Sequence, residues 1–391
     1  MSLYILSDKT IKSFLPSMDD RYAKAALALN QCRVKTRILK KADDVYSLTN
    51  DPNAMLFITT TFSTKYYQII KFCNINNIPV IFSHEDRSLT ADYTYSTIKG
   101  NTNQTIKLLL AYSEYYNKTR PAFFALNSFS SHDRKKASLI YELCKNFSVE
   151  DIFSRDHSFN DCLENFFQNR HKYDVIFCSN DFSAIALIEE LKIRDPEYLN
   201  NTFILGFMDT IISRLYSPSI TSCTYVLEDV TKALLSIYRI LYKSNHVTSI
   251  DIQLNSKITT RQSTNNSPIN SAEINQLSNK YESSKRKLNI NPPNTNQRGI
   301  PESPIIEICK EIESMLISFK NVDFRILFEL LNNKSYPEIC DKLFISLSTL
   351  QYHLKKMMNA LDLNTKSAFL ETISKYIDIN NLENFIKENQ K

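Results

Sequence analysis

Glycine is nearly absent: the 391 residues contain three, Gly100, Gly206 and Gly299. Loops that cradle phosphate need clustered glycines so that the backbone can approach the anion. With three so far apart, neither a Walker loop nor a GxGxxG turn can form, and nucleotide-dependent enzymes of those classes are set aside. The eight cysteines (32, 73, 144, 162, 178, 223, 309 and 340) include no CxxC pair. Scattered thiols point to reduced, mostly buried side chains in the cytoplasm, and away from a zinc site or a disulfide frame. No apolar run approaches the roughly 18 residues that cross a bilayer. The opening "MSLYILSDKTIKSF" lacks a basic n-region, a long apolar stretch and a small-residue cleavage site, so it reads as a strand and not a signal peptide. His132-Asp133, or Cys178 near Asn180, could be imagined in catalysis, but no Ser/His/Asp or Cys/His constellation has a readable frame. The expectation is a protein that is not an enzyme, with no cofactor, no metal and no membrane contact.

What is present is an alternation. The length exceeds one hydrophobic core, so two or three domains are expected. Apolar content of 43% and charge of 23% suit globular domains, and the net charge of +5 is only mildly basic. Over 1–264, short apolar runs such as "LYILS", "AMLFITT", "PVIFS", "PAFFAL", "YDVIFCS" and "TFILGF" alternate with stretches of helical periodicity. That pattern predicts parallel βαβ units with both sheet faces covered. One sheet of so many strands would be large, so two doubly wound subdomains are expected. Residues 265–303 are rich in Asn, Ser and Pro, poor in apolar side chains, and include the cluster Lys285-Arg286-Lys287. They are read as a flexible linker.

Residues 304–391 read as helical throughout. Ile305, Ile308, Ile312, Met315 and Phe319 form one apolar stripe behind Pro304. Within "SYPEICDKLFISLSTLQYHLKKMM" (335–358), Ser335 and Glu338 have capping-box spacing, and Pro337 is tolerated in a first turn. Ile339, Leu343 and Phe344 are expected to face inward. Ser346 is a second N-cap candidate, followed by the apolar face Leu350, Leu354, Met357 and Met358. Two caps eleven residues apart make a short helix, a tight turn and a second helix: helix-turn-helix geometry. The region 304–391 carries 11 Lys+Arg against 12 Asp+Glu, so one copy would have a weak non-specific grip on DNA. A bundle that packs or docks a protein is the bland alternative, and His353 is expected to be a core or cap histidine.

The stretch from 321 to about 376 resembles the LuxR/GerE-type helix-turn-helix. Glu338-Ile339, Leu343, Ile345-Ser346, Thr349, His353-Leu354, Leu361 and Ala368 fall into its register; Leu350 stands for Val, Gln351 for the common Lys, and Asp362 for Gly. The resemblance implies that 346–358 is the recognition helix. Gln351, Tyr352 and Lys355 would then face the major groove of double-stranded DNA, with Ser346, Thr349 and Lys356 toward phosphates. Gln suits the N6/N7 edge of adenine, and Lys suits guanine or phosphate.

Residues 1–264 in turn resemble the periplasmic-binding-protein-like sensor domain of lactose-repressor-type regulators. The resemblance rests on "AFFALNSFSSHDRKKASLIYEL", "YDVIFCSNDFSAIALIEELK", "FILGFMDTIISRLYSPSITSCTYVLEDV" and the closing "RQST". It implies an α/β fold of two Rossmann-like lobes with a small-molecule effector held at the strand ends. The implied ligand residues are Ser131, Lys135, Asn180, Asp181, Met208, Asp209 and Tyr225, with Asp8 and Phe14 from the first βα loop. The plain alternative for Asn180 and Asp181 is a helix cap; that for Lys135 is a solvated lysine. Lys135 and Met208 stand where the sugar-binding members carry Arg and Asp, so a typical hexose is not the expected effector. The expected organisation is a two-lobed sensor over 1–264, a linker over 265–303 and a helical domain over 304–391. The expected function is that of a ligand-responsive DNA-binding transcription regulator, acting as a homodimer. In that scheme the helix 304–319 transmits the signal or dimerises. The alternative is a receptor module whose C-terminal helices dock a protein partner.

Overall fold

The computed structural model describes residues 2–7, 16–59, 64–83, 93–244, 246–282, 284–291 and 303–389. The chain opens with β1 (Ser2–Leu6), α1 (Pro16–Leu27), β2 (Lys35–Leu39), β3 (Ala54–Ile58), α2 (Thr64–Ile75), β4 (Val80–Phe82) and β5 (Ser96–Gly100). It continues with α3 (Thr102–Tyr115), β6 (Pro121–Leu126), α4 (Ser131–Leu143), β7 (Ile152–Ser154), α5 (Phe159–Asn169), β8 (Val175–Cys178), α6 (Asp181–Arg194), α7 (Pro196–Asn201), β9 (Phe203–Phe207), α8 (Ile211–Leu215) and β10 (Thr221–Tyr225). Then come α9 (Leu227–Lys243), β11 (Asp251–Leu254) and β12 (Ser256–Thr259).

These elements make two α/β units. The first comprises residues 1–101 and 225–257, the second 102–224 and 258–391. The sheet orders are β11-β5-β4-β3-β1-β2 and β12-β10-β9-β8-β6-β7. Counted from its own first strand, each sheet has the same order, with the second strand at one edge and the first beside it. Adjacent strands from β2 to β11 and from β7 to β10 pair in parallel. Parallel strands covered on both faces read as unbroken apolar runs. Accordingly β3 (AMLFI), β8 (VIFC) and β9 (FILGF) are buried at every position.

The C-terminal part is all helical: α10 (Ser271–Lys280), α11 (Pro304–Ile317), α12 (Asn321–Leu331), α13 (Tyr336–Leu343), α14 (Leu347–Ala360), α15 (Lys366–Tyr376) and α16 (Ile379–Glu388). Three expectations are revised here. The segment taken as a structureless linker contains α10, which packs along α3. Its irregular remainder is also held: Tyr116 donates to the Pro268 carbonyl at 2.5 Å, and Tyr281 to Glu114 at 2.6 Å. Arg286, in the same segment, donates to the carbonyls of Cys144, Lys145 and Phe147 and lies 3.9 Å over the Tyr141 ring. Residues 292–302 of that segment lie outside the described residues. Helix α11 is not a free dimerisation stripe. It buries Ile306, Cys309, Ile312 and Leu316 while packing on α6, α8 and α14, and Ile305 and Ile308 are only half-buried. Phe344 does not face inward. It is the C-cap of α13, in a left-handed conformation (φ 54°), and its ring is 94% exposed. The left-handed turn redirects the chain into α14 and swings the side chain out of the bundle.

Candidate functional site

In doubly wound sheets the carboxyl ends of the strands carry the ligand site. In the second unit these ends are β6, β8 and β9. Ser130 caps α4 by accepting from the Asp133 amide, and Ser131 follows it, half-buried. Lys135 points to solvent. The inward lysine is its neighbour: Lys136 Nζ lies 3.0 Å from Asp133, donates to the Ser179 carbonyl at 2.5 Å, and sits 4.5 Å over the Phe207 ring. Asn180 caps α6 by accepting from the Ser183 amide at 2.9 Å.

Asp181 is fully buried. One carboxylate oxygen accepts from the Thr210 amide (2.8 Å) and hydroxyl (3.0 Å), the other from the Ser222 hydroxyl (2.6 Å). Burial, offset by these hydrogen bonds, pushes its pKa up to about 6. Gly206 is required opposite it, since a Cβ there would stand 2.1 Å from the carboxylate. Met208 and Asp209 are consecutive non-glycine residues with φ of 103° and 53°, a backbone state that persists only where the surroundings enforce it. Here the enforcement is visible. The Asp209 amide donates to the Ser222 hydroxyl at 2.9 Å, and its carboxylate is ion-paired to Arg214 at 2.6 Å and, more tightly still, to Arg261. Both acids inferred as ligand groups are therefore held by the protein's own donors. Arg261 sits in the "RQST" stretch, and Thr210, Arg214 and Ser222 in the segment 203–230, so both stretches carried a sequence signal, but none of the four was singled out.

Tyr225 falls in the first unit, where a Cβ on Gly100 would stand 3.1 Å from its ring and its hydroxyl meets that of buried Tyr22. Asp8 and Phe14 lie outside the described residues.

The short helix α8 leaves the strained 208–209 turn and is gripped at both ends by the C-terminal helices. Glu313 of α11, 1% exposed, accepts from the amides of Ile211 (3.1 Å) and Ile212 (2.8 Å). At the other end, the Asp378 amide donates to the Leu215 carbonyl (2.7 Å) and the Asn381 side chain to that of Tyr216 (2.8 Å). These partners lie a hundred or more positions away along the chain.

In the C-terminal helices, both expected caps form. Ser335 and Glu338 make the capping box, and Ser346 accepts from the Thr349 amide at 3.1 Å. Thr349 is half-buried and its hydroxyl is shared with Ser346. Leu350, Leu354 and Met357 are buried. His353 Nδ1 lies 2.6 Å from Asp323, a fully buried residue that also accepts from the Lys320 amide to cap α12. The exposed face of α14 carries Leu347, Ser348, Gln351, Tyr352, Lys355, Lys356 and Asn359. Lys356 Nζ reaches the Ser318 carbonyl at 3.4 Å. Each of α11, α12, α13, α15 and α16 carries at least one Asp or Glu, whereas α14 carries none.

Among the described residues, no helix is long and apolar enough to cross a membrane. No protein-family model matches the chain, and no curated protein matches it. Solved structures are similar to it. A regulatory protein of the LacI family from Chloroflexus aggregans has a TM-score of 0.54 at 12% identity, over 67% of this chain and 98% of that one. A transcription regulator from Lactobacillus plantarum gives 0.51 at 12%, over 68% and 99%. The transcriptional regulator CelR in complex with cellobiose gives 0.50 at 12%, over 67% and 84%. At these identities the likeness shows the fold: the two doubly wound units have the α/β fold of these solved structures.

Proposed function

We propose that this protein is a ligand-responsive, DNA-binding transcription regulator. An effector held at strand ends of the α/β units would bias α14, the reading helix, and the molecule would act as a homodimer. The observation that carries the reading is α14 itself. It follows a capped short helix and a tight turn, it is the one helix of α11–α16 with no carboxylate, and its exposed face presents Gln351, Lys355 and Lys356. Anionic DNA repels carboxylates and rewards lysine through released counterions, whereas a helix that merely packs has no reason to exclude acids from its solvent face. Coupling has a physical route in α8, which joins the 208–209 turn to Glu313.

The effector is not a neutral aldohexose in this reading. Tight hydroxyl binding wants a free carboxylate, and those of Asp181 and Asp209 are already held by protein donors. Titration of full-length protein with short random-sequence duplexes at two salt concentrations tests the DNA reading. Saturable binding that weakens with salt is expected; no binding at low salt would refute it. Calorimetry with common aldohexoses tests the effector class, and tight binding of any of them would refute that part.

A further inference from the structure

Between Ser303 and Asn389 the exposed large apolar side chains are Phe344 (94%), Tyr352 (68%) and Leu347 (51%). All three sit at the turn into α14 or in its first half. Leu347, Gln351 and Lys355 are spaced i, i+4, so they form one exposed stripe, with Ser348 and Tyr352 beside it. Phe344 stands just ahead of the Ser346 cap, in a backbone conformation that bulky side chains rarely adopt. A protein that only packed this helix would gain by burying these groups or replacing them with polar ones.

We propose that Phe344 and Leu347 read thymine methyl groups, making this chain selective for sites rich in A·T pairs. The inference rests on the DNA-reading function proposed above and names its specificity. In the major groove the methyl is the apolar feature of the base edges, and the same pair presents the adenine N6 and N7 that a Gln can grip. Leu347 and Gln351, one turn apart on one stripe, suit the two halves of that signature. Lys355 and Lys356, on a helix without acids, match the flanking phosphates. An apolar protein surface would not call for that charge pattern.

The test uses a duplex enriched from a random library on the full-length protein. The duplex is resynthesised with uracil in place of thymine, which removes the methyl groups and leaves the pairing intact. Covering one methyl is worth about fourfold in affinity, so two half-sites with one contact each predict a loss of about fifteenfold. In the double variant Leu347→Ala, Phe344→Ala the thymine-to-uracil ratio should fall to near one; both side chains are exposed, and circular dichroism checks the fold. Equal affinity of the unmodified protein for both duplexes overturns the proposal and leaves the patch to a protein partner. So does a double variant that keeps the full ratio, because DNA shape would then explain it. Failure to enrich any duplex is a separate result that removes the DNA reading itself.

Discussion

Glu313 is the residue on which the attachment of the helical part to α8 can be tested. Its carboxylate is 1% exposed and accepts from two backbone amides, at 3.1 and 2.8 Å. Glu313→Ala leaves both donors without their acceptor, the Ile212 amide buried and the Ile211 amide half-buried. Each orphaned donor costs about 1–3 kcal/mol, and removing the carboxylate's own desolvation returns part of that, so a net loss of about 3 kcal/mol is expected. Glu313→Gln keeps the volume and one acceptor but turns an NH2 toward the second amide; a loss of about 2 kcal/mol follows from one hydrogen bond to a charged group. Urea unfolding of the full chain gives the free energies, and hydrogen exchange at the Ile211 and Ile212 amides locates them. Both amides should lose protection in Glu313→Ala, and one of them in Glu313→Gln. Unfolding free energies within about 0.5 kcal/mol of the parent, the range of an ordinary surface change, together with unchanged protection of the two amides, would refute the reasoning.

Other perturbations address the sites separately. Gln351→Ala and Lys355→Ala should each weaken DNA binding without loss of helicity; Gln351→Ala should cost about 1–3 kcal/mol on the preferred site and relax specificity there, and unchanged affinity in both would show that α14 is not the reader. Gly206→Ala should destabilise by about 3 kcal/mol, the upper range for overpacking, because its Cβ would collide with the Asp181 carboxylate; a soluble variant of parental thermal stability would disprove the contact. Asp181 should titrate near pH 6 by carboxyl carbon NMR, above the ordinary 3.8. Its folded pKa is raised, so the stability it contributes is full below pH about 4 and is lost as pH rises through about 6; a titration midpoint below 4 would contradict its burial. Phe344→Gly should stabilise the fold by about 0.5–1 kcal/mol, since relief of the left-handed strain exceeds the entropy that glycine adds to the unfolded chain; a lower melting temperature would contradict that.

The α/β layout was legible because a parallel strand covered on both faces must be apolar at every position, as AMLFI, VIFC and FILGF are. The weaker signals are at the sheet edges: β2 (KTRIL) and β11 (DIQL) each have one face or more in solvent and mixed composition. The caps at Ser335 and Ser346 were legible because capping is local chemistry, complete within three residues.

What escaped the sequence is everything that depends on a distant partner. The described residues of 265–291 look like a tether by composition, yet their order comes from groups about 140–170 positions away: the Tyr112 and Glu114 side chains of α3, Tyr116 just after it, and the carbonyls that Arg286 meets beyond α4. The same holds for the acids. Asp181 and Asp209 have the residue type and strand-end position of ligand groups, and their residue type does not reveal that Thr210, Ser222, Arg214 and Arg261 engage them. A buried carboxylate with both oxygens engaged braces the backbone, and the Met208–Asp209 turn is where that bracing is needed, because two non-glycine residues in left-handed conformations cannot hold themselves. The scarcity of glycine has its physical counterpart here. This chain builds its tight turn from Met and Asp, holds it with two arginines and a serine, and keeps Gly206 where a buried carboxylate leaves no room for a Cβ.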